Sequence, residues 1–145
     1  RIRDARLKSE LDQSEIAGRL GWSVASYGDL EMYDDEAFTV PSLRDLVRLA
    51  EVVSVEPRVL LLGAEAHGVQ RTFTFRDVAE RVARRVADSG VTVAELGDEI
   101  GFDVQPLLDS SEALWDYDVE ALYHICKTVG MDWVAALPDS PTPGK

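Results

Sequence analysis

Residues 12–31, DQSEIAGRLGWSVASYGDLE, restrict the folds open to this chain more than any other segment. Asp12 and Glu15 have the spacing of a helix-capping pair, and the apolar residues after them lie at helical spacing. Gly21 can adopt the left-handed conformation that ends a helix, and Ser23 is a suitable N-cap for a second helix. Two short helices joined by a glycine turn form a helix-turn-helix. The segment therefore predicts an all-α structure around this motif.

The same pattern recurs 80 residues later in the segment TVAELGDEIGFDVQPLLD. Thr92 stands where the first segment has its N-cap, and Gly101 stands where it has its turn glycine. After a loop that is four residues shorter, the apolar positions of a further helix recur at Val119, Leu122, Ile125, Cys126, Val129 and Met131. Because caps, turn and core positions agree together, the sequence predicts an internal duplication.

Helical spacing of apolar residues places the other helices of the first copy. Residues 2–10 predict a helix before the capped segment, and Pro41 and Ser42 open another after it. Ser54 is the expected N-cap of a short fifth helix that ends near Leu62. Residues 32–40, which include three consecutive acids, predict a loop.

The chain has 145 residues, which is enough for two small domains. We predict a first unit over residues 1–62 and a degenerate second unit over residues 75–137. Residues 63–74 form the predicted linker because they contain turn residues and no apolar periodicity. Residues 138–145 form a predicted disordered tail because they have few apolar side chains. The predicted fold class is all-α, with two tandem five-helix domains.

Residues 1–61 resemble the phage lambda repressor-like (xenobiotic-response-element) family of bacterial helix-turn-helix regulators. The matching residues are Arg6, Gln13, Glu15, Ile16, Ala17, Leu20, Gly21, Ser23, Leu30, Glu31, Pro41, Leu43, Leu46, Leu49, Ala50, Val53 and Val55. The family is five-helical and usually binds a DNA operator as a dimer, so the resemblance implies this fold for the first unit. It also implies a partly buried ion pair between Arg6 and Glu31, which joins helix 1 to the end of helix 3.

The resemblance further implies where an operator would be contacted. In the family this surface is the start of helix 2, the exposed face of helix 3 and the loop after it. The residues at these positions are Gln13, Ser14, Val24, Ala25, Ser26 and Asp29, followed by the acidic loop of Asp34, Asp35 and Glu36. Gln13 matches the glutamine that usually contacts the DNA backbone in this family.

Charge argues against DNA as the ligand of this surface, since operator readers need cations for phosphates and Arg, Asn or Gln for base edges. The chain has a net charge of −12, and no Lys or Arg occurs between Arg19 and Arg44, where five acids occur. From Val86 to Cys126 there is again no Lys or Arg, and there are ten acids. We therefore predict a regulator of transcription-factor type that acts mainly through protein–protein contacts. The alternative is an operator-binding regulator that uses the first helix-turn-helix.

Other functional classes have little support in the sequence. We predict no catalytic residues, metal site or cofactor, because no nucleophile–base or metal-ligand constellation is present. The apolar runs are too short to span a membrane, and the single cysteine, Cys126, excludes an internal disulfide framework, so the expected location is the cytoplasm. The predicted partner is a protein, and a homodimer stays open. Trp115 and Trp133 are candidate exposed anchors of an interface, with a core position as the alternative for Trp133.

Overall fold

The computed structural model of the protein describes residues 1–139, and every regular element in them is a helix. The helices are α1 (Ile2–Lys8), α2 (Gln13–Leu20), α3 (Val24–Met32), α4 (Glu36–Thr39), α5 (Leu43–Val52), α6 (Pro57–Leu62), α7 (Phe75–Ser89), α8 (Val93–Ile100), α9 (Gln105–Asp109), α10 (Val119–Thr128) and α11 (Trp133–Ala136). Two short 3-10 helices, Ala64–Ala66 and Ser111–Asp116, follow α6 and α9. The predicted all-α class is therefore correct for the described residues.

The ends of α2 and the start of α3 follow from local hydrogen bonds. The Glu15 amide donates to the Asp12 carboxylate at 2.8 Å, and the Glu15 carboxylate accepts from the Asp12 amide at 3.4 Å, so the expected capping box is present. Gly21 ends α2 with a φ of 73°, where a side chain would be strained. Ser23 then caps α3 by accepting from the Ser26 amide at 3.1 Å. These bonds set a tight turn between the two helices.

α8 has the same ends 80 residues further along. Thr92 and Glu95 form its capping box, and Gly101 ends it with a φ of 92°. The buried positions of α2 also recur in α8: Ile16, Ala17 and Leu20 correspond to Leu96, Gly97 and Ile100. The helix that follows is shorter in the second unit, where α9 has five residues and α3 has nine.

Backbone conformation repeats along the chain as well. Outside the linker, the left-handed residues of the described part form three pairs: Glu10 with Gly90, Gly21 with Gly101, and Ser54 with Gly130. The first two pairs are 80 residues apart, and the third has the 76-residue spacing that also separates α5 from α10. The second unit has glycine in all three places, whereas the first unit has glycine in one.

Ser54 does not cap the last helix of the first unit, so that prediction is wrong. Its φ of 57° is left-handed, and α6 begins only after Glu56, with Pro57 in its first turn. The fixed φ of proline suits the first turn of a helix, and proline has no amide hydrogen that would be left unbonded there. The proline therefore determines where α6 begins.

We expect Ser54→Gly to stabilise the protein. A side chain in the left-handed region costs about 1–2 kcal/mol, whereas the greater freedom of glycine in the unfolded chain costs about 0.5–1 kcal/mol. The free energy of unfolding, measured by urea denaturation, should therefore rise by about 0.5–1 kcal/mol. The reverse change at the paired position, Gly130→Ser, should lower it by a similar amount. A loss of stability in Ser54→Gly would contradict this account of the turn.

The predicted loop over residues 32–40 contains a helix, so this part of the prediction is wrong. α3 continues to Met32, and α4 follows with the Val40 amide donating to the Glu36 carbonyl at 2.8 Å. α4 packs against α10 of the second unit, with Ala37 buried and Phe38 half-buried. This burial favours a helical turn over an open loop. Residues 1–62 therefore contain six α-helices rather than the predicted five.

The two units share one hydrophobic core, to which residues of both contribute. α5 packs against the 3-10 helix Ser111–Asp116, and the Leu43 amide donates to the Tyr117 carbonyl at 2.8 Å. The linker also joins this assembly, since the Thr72 amide donates to the Ala135 carbonyl at 2.8 Å. The units are therefore bonded to each other through both side chains and backbone.

Arg58 on α6 is the main polar connection between the units. Its side chain is 1% exposed, and it donates to the Val134 carbonyl at 2.8 Å and to the Leu137 carbonyl at 2.7 Å. Its third contact is an ion pair with Asp139.

The predicted disordered tail includes Pro138 and Asp139, but Pro138 is buried and Asp139 bonds Arg58. The rest of that predicted tail, residues 140–145, lies outside the described residues.

Candidate interaction surface

The exposed face of α3 is mainly apolar. Residues four apart lie along one line of a helix, and Val24, Gly28 and Met32 form such a line, with Ala25 and Asp29 beside it. Val24 is 47% exposed and Met32 is 72% exposed. Val24, Ala25, Gly28, Asp29 and Met32 are called the α3 face below. Four of the five residues are apolar, and the fifth is an acid.

Apolar exposure continues next to the α3 face. Tyr33 directly follows α3 and Val40 directly follows α4, and each is about half exposed. A shallow groove of about 400 Å³ connects Val40 to the start of α3; it is lined by Trp22, Ser23, Ser26, Val40 and Asp45. Five of the six large apolar side chains that are exposed in residues 1–139 belong to the first unit. The exposed apolar area is therefore concentrated around α3.

The polar residues predicted for DNA contact are close to this face, but two of them are bonded within the protein. The Gln13 amide nitrogen donates to the Glu31 carboxylate at 3.1 Å, and its oxygen lies 3.6 Å from the place of a Cβ on Gly28. The Ser26 hydroxyl accepts from the Ser23 hydroxyl at 2.9 Å. Ser14 is exposed at the start of α2. Gln13 thus helps to hold α2 against α3.

Arg6 and Glu31 form an ion pair between α1 and the end of α3. The Arg6 Nε atom is 2.6 Å from one oxygen of the Glu31 carboxylate, and Nη2 donates to the other oxygen at 3.2 Å. The Arg6 side chain is 12% exposed and that of Glu31 is 4% exposed. The residues 80 positions later, Val86 and Ser111, cannot form an ion pair. The pair is thus specific to the first unit.

The environment of Glu31 keeps it ionised. Burial alone would raise its pKa, but the hydrogen bonds from Arg6 and Gln13 outweigh burial, so the pKa of Glu31 lies below the ordinary value of 4.5. The Tyr27 hydroxyl lies beside the same carboxylate, and burial raises the pKa of Tyr27 well above its usual value. Its geometry falls short of a hydrogen bond to any described residue. The ion pair is therefore the main polar contact beneath α3.

The acidic segment, Asp34, Asp35 and Glu36, lies at the end of the α3 face. Asp34 and Asp35 are exposed in the turn between α3 and α4, and Glu36 is the half-buried first residue of α4. Asp35 also lines a groove between α4 and α10. The acidic segment therefore joins two surfaces, the α3 face and this groove.

Two of the four arginines of α7 donate to the end of α10 in the same unit, while Arg84 is exposed and Arg76 pairs with Glu80. Arg81 donates to the Val129 carbonyl at 3.3 Å, and Arg85 donates to the Thr128 carbonyl at 2.9 Å. Carbonyls at the end of a helix lack partners within it, so these two arginines satisfy the end of α10. Arg85 also pairs with Glu99 at 3.3 Å.

The two candidate tryptophan anchors differ in burial. Trp115 is buried with its ring edge against Phe75 at 4.9 Å between centroids, so the prediction of exposure is wrong for it. Trp133 is half-buried and lines the groove between α4 and α10. Phe38 and Tyr123 line the same groove and were not predicted as site residues. The sequence contains one indication of Tyr123 as a site residue. Tyr123 follows Glu120 by three residues on a helix, so an aromatic ring and an acid lie side by side on one face.

Comparison with protein-family models, curated proteins and solved structures finds no match to this chain. The function must therefore be inferred from the geometry of the chain itself. Across residues 1–139, none of the helices has the length and apolar character needed to cross a membrane. The same residues contain no group of three or more His, Cys, Asp or Glu side chains that could hold a metal ion.

Proposed function

We propose that this protein is a tandem lambda repressor-like helix-turn-helix regulator that acts mainly through protein–protein contacts. The composition of the α3 face carries the proposal. Where an operator reader needs cations and base-reading side chains, this helix presents Val24, Ala25, Gly28 and Met32, with Asp29 as its charged residue. A surface of this composition suits the side chains of another protein better than it suits phosphates.

The tandem arrangement is supported by features that a chance pattern would not produce together. Capping boxes begin both α2 and α8, and left-handed glycines end both helices. The three pairs of left-handed residues extend the agreement to the helices that flank them. We therefore interpret residues 1–62 and 75–137 as two copies of one helical domain, of which the second is degenerate.

Electrostatics disfavours the alternative, an operator-binding regulator. Affinity for duplex DNA comes largely from cations that neutralise phosphates and release counterions. Asp29, Asp34 and Asp35 are exposed where phosphates would approach the α3 face, and each would add repulsion. Gln13, the residue expected to contact the DNA backbone, instead donates to Glu31. This bond occupies one of the two N–H groups of the Gln13 amide, so a single N–H of Gln13 is left for a phosphate.

The same charges favour a protein partner with basic character. Exposed apolar patches rimmed by polar residues are typical of protein interaction sites, and methionine adapts to varied partners because its side chain is flexible. Acids at the rim would attract a basic partner and speed its association. They would repel a second copy of this chain, which has a net charge of −12, so a homodimer through this face is the weaker candidate. A soluble cytoplasmic setting is consistent with such a partner.

A comparative pull-down tests the proposal. Wild-type protein, Met32→Asp and Val69→Asp would each be immobilised and exposed to a lysate of cells that express the chain. Val69 is a matched control because it is an exposed apolar residue of the linker and is not part of the α3 face. We expect a protein that binds wild type and Val69→Asp equally and binds Met32→Asp about tenfold or more weakly, since burial of a methionine contributes about 1.5–3 kcal/mol.

The proposal would be overturned if every retained protein bound Met32→Asp as well as wild type. Circular dichroism of the three baits must agree, so that a folding defect is not mistaken for a lost contact. Association of the chain with itself that is lost in Met32→Asp, seen by sedimentation, would replace the proposed partner by a homodimer.

A further inference from the structure

A groove of about 460 Å³ lies between α4 of the first unit and α10 and α11 of the second. Its walls are formed by Asp35, Phe38, Thr39, Glu120, Tyr123, His124 and Trp133. Its size falls in the range of pockets that hold small molecules or single side chains. It exists only because the two units pack together, since neither unit supplies all of its walls.

The aromatic rings of the groove stand at steep angles to one another. The Tyr123 ring is 6.1 Å from the Trp133 ring between centroids, at an interplanar angle of 87°. Phe38 of α4 also lines the groove. Aromatic faces carry a partial negative charge, so rings that surround a space favour a cation within it.

The charged residues of the groove also favour a cation as its ligand. Both formally charged residues that line it, Asp35 and Glu120, are exposed acids, and neither Lys nor Arg lines it. The protein's own Lys127 ammonium lies 5.7 Å from the centroid of the Tyr123 ring, so this ring already attracts one cation. Within residues 1–139, cations lie over two rings, those of Phe75 and Tyr123, and none of these cations lies over the Trp133 ring.

We propose that this groove binds the guanidinium of an arginine side chain presented by a peptide of the protein partner. A guanidinium is planar and weakly hydrated, so it can stack on Trp133 while its N–H groups donate to Glu120 or Asp35. An ammonium would contact the carboxylates as a point charge and stack less well. The inference rests on the proposed function for the existence of a protein partner, but it uses a surface separate from the α3 face.

The test uses defined peptides and the full chain. A seven-residue Gly-Ser peptide, acetylated and amidated, carries arginine at its centre, and comparison peptides carry citrulline, lysine or norleucine there. Titration is followed by isothermal titration calorimetry for every protein, and also by the NMR signal of the Trp133 indole for those that retain this residue. We expect the arginine peptide to bind about tenfold more tightly than the citrulline peptide, because a cation over partly desolvated rings contributes that much. Equal affinity of arginine and citrulline would overturn the proposal.

Variants locate the site. Glu120→Gln and Trp133→Leu should each reduce the preference for arginine over citrulline to about twofold or less. Asp88→Asn removes one negative charge from an exposed position of α7 and should leave the preference for arginine over citrulline unchanged. If Trp133→Leu loses its helical circular dichroism, Glu120→Gln alone decides. An unchanged preference in Glu120→Gln would assign the binding to another place and overturn the proposal.

Two further comparisons are needed. One distinguishes a peptide arginine from a free small cation, and the other separates the arginine site from the proposed function. Free acetyl-argininamide should bind at least about threefold more weakly than the peptide, because it lacks the flanking backbone; equal binding would assign the groove to a small cation and overturn the peptide proposal. Met32→Asp should bind the arginine peptide as wild type does. If the chain prefers the arginine peptide but the pull-down finds no partner, the proposed function is refuted and the arginine site remains. If the pull-down finds a partner but the chain does not prefer the arginine peptide, the arginine site is refuted and the proposed function remains.

Discussion

Arg58→Met should lower the free energy of unfolding by about 3–5 kcal/mol, one of the two largest effects expected for this protein. Methionine preserves much of the apolar stem but donates no hydrogen bond. The Val134 and Leu137 carbonyls, which now accept from Arg58 at 2.8 and 2.7 Å, would lose their donors at the junction of the two units. Each buried carbonyl left without a partner costs about 1–3 kcal/mol. Urea denaturation at neutral pH measures the change.

Arg44→Met is the matched control for Arg58→Met. Arg44 also crosses from the first unit to the second, where it pairs with Asp116, but its side chain is 41% exposed. Exposed pairs contribute about 0–1 kcal/mol, so this variant should remain close to wild type. If Arg58→Met cost no more than Arg44→Met, the buried arginine would not be what joins the units.

Arg6→Met should also lower the free energy of unfolding by about 3–5 kcal/mol, because it leaves the Glu31 carboxylate buried without its guanidinium partner. The effect should depend on pH. The pKa of Glu31 is lowered in the folded protein, so its stabilising contribution is complete above the ordinary value of 4.5 and is lost as pH falls through the lowered value. The difference between wild type and Arg6→Met should therefore shrink in acid.

Denaturation of both proteins at neutral pH and at progressively lower pH measures this difference. Arg76→Met is the control, since Arg76 forms an exposed pair with Glu80 at 3.6 Å within α7 and should contribute less than about 0.5 kcal/mol. Equal stability of wild type and Arg6→Met at neutral pH, or a difference that grows in acid, would count against the buried ion pair.

Short-range chemistry made the helix-turn-helix segments predictable. The capping box at Asp12 and the turn at Gly21 depend on residues within a few positions, and the same holds for Thr92 and Gly101 in the second unit. α4 was not predictable in this way. It packs against α10, about 80 residues further along the chain, whereas its local sequence of consecutive acids indicates a loop.

The candidate site was also only partly predictable from the sequence. Val24, Ala25 and Asp29 of the α3 face could be predicted because the resemblance places the contact surface on the helix after the turn. Met32, the most exposed large apolar residue of this face, could not, because the sequence predicts a loop from residue 32 onward whereas α3 continues to Met32. The connection through Arg58 and the groove beside Trp133 could not, since both arise from packing between the units. Arginine is charged and is ordinarily exposed, and the carbonyls of Val134 and Leu137 at the end of α11 account for its burial here.

A titration of duplex DNA with residues 1–145, followed by fluorescence anisotropy, tests the central claim that α3 does not read an operator. The DNA would be a labelled pool of random genomic fragments, and the titration would be run at low salt and at about 0.15 M salt. The account predicts no sequence-specific complex tighter than roughly micromolar at the higher salt. Any weak complex at low salt should be unaffected by Gln13→Ala or Ser26→Ala. A nanomolar complex with a selected fragment, abolished by either substitution, would contradict the account.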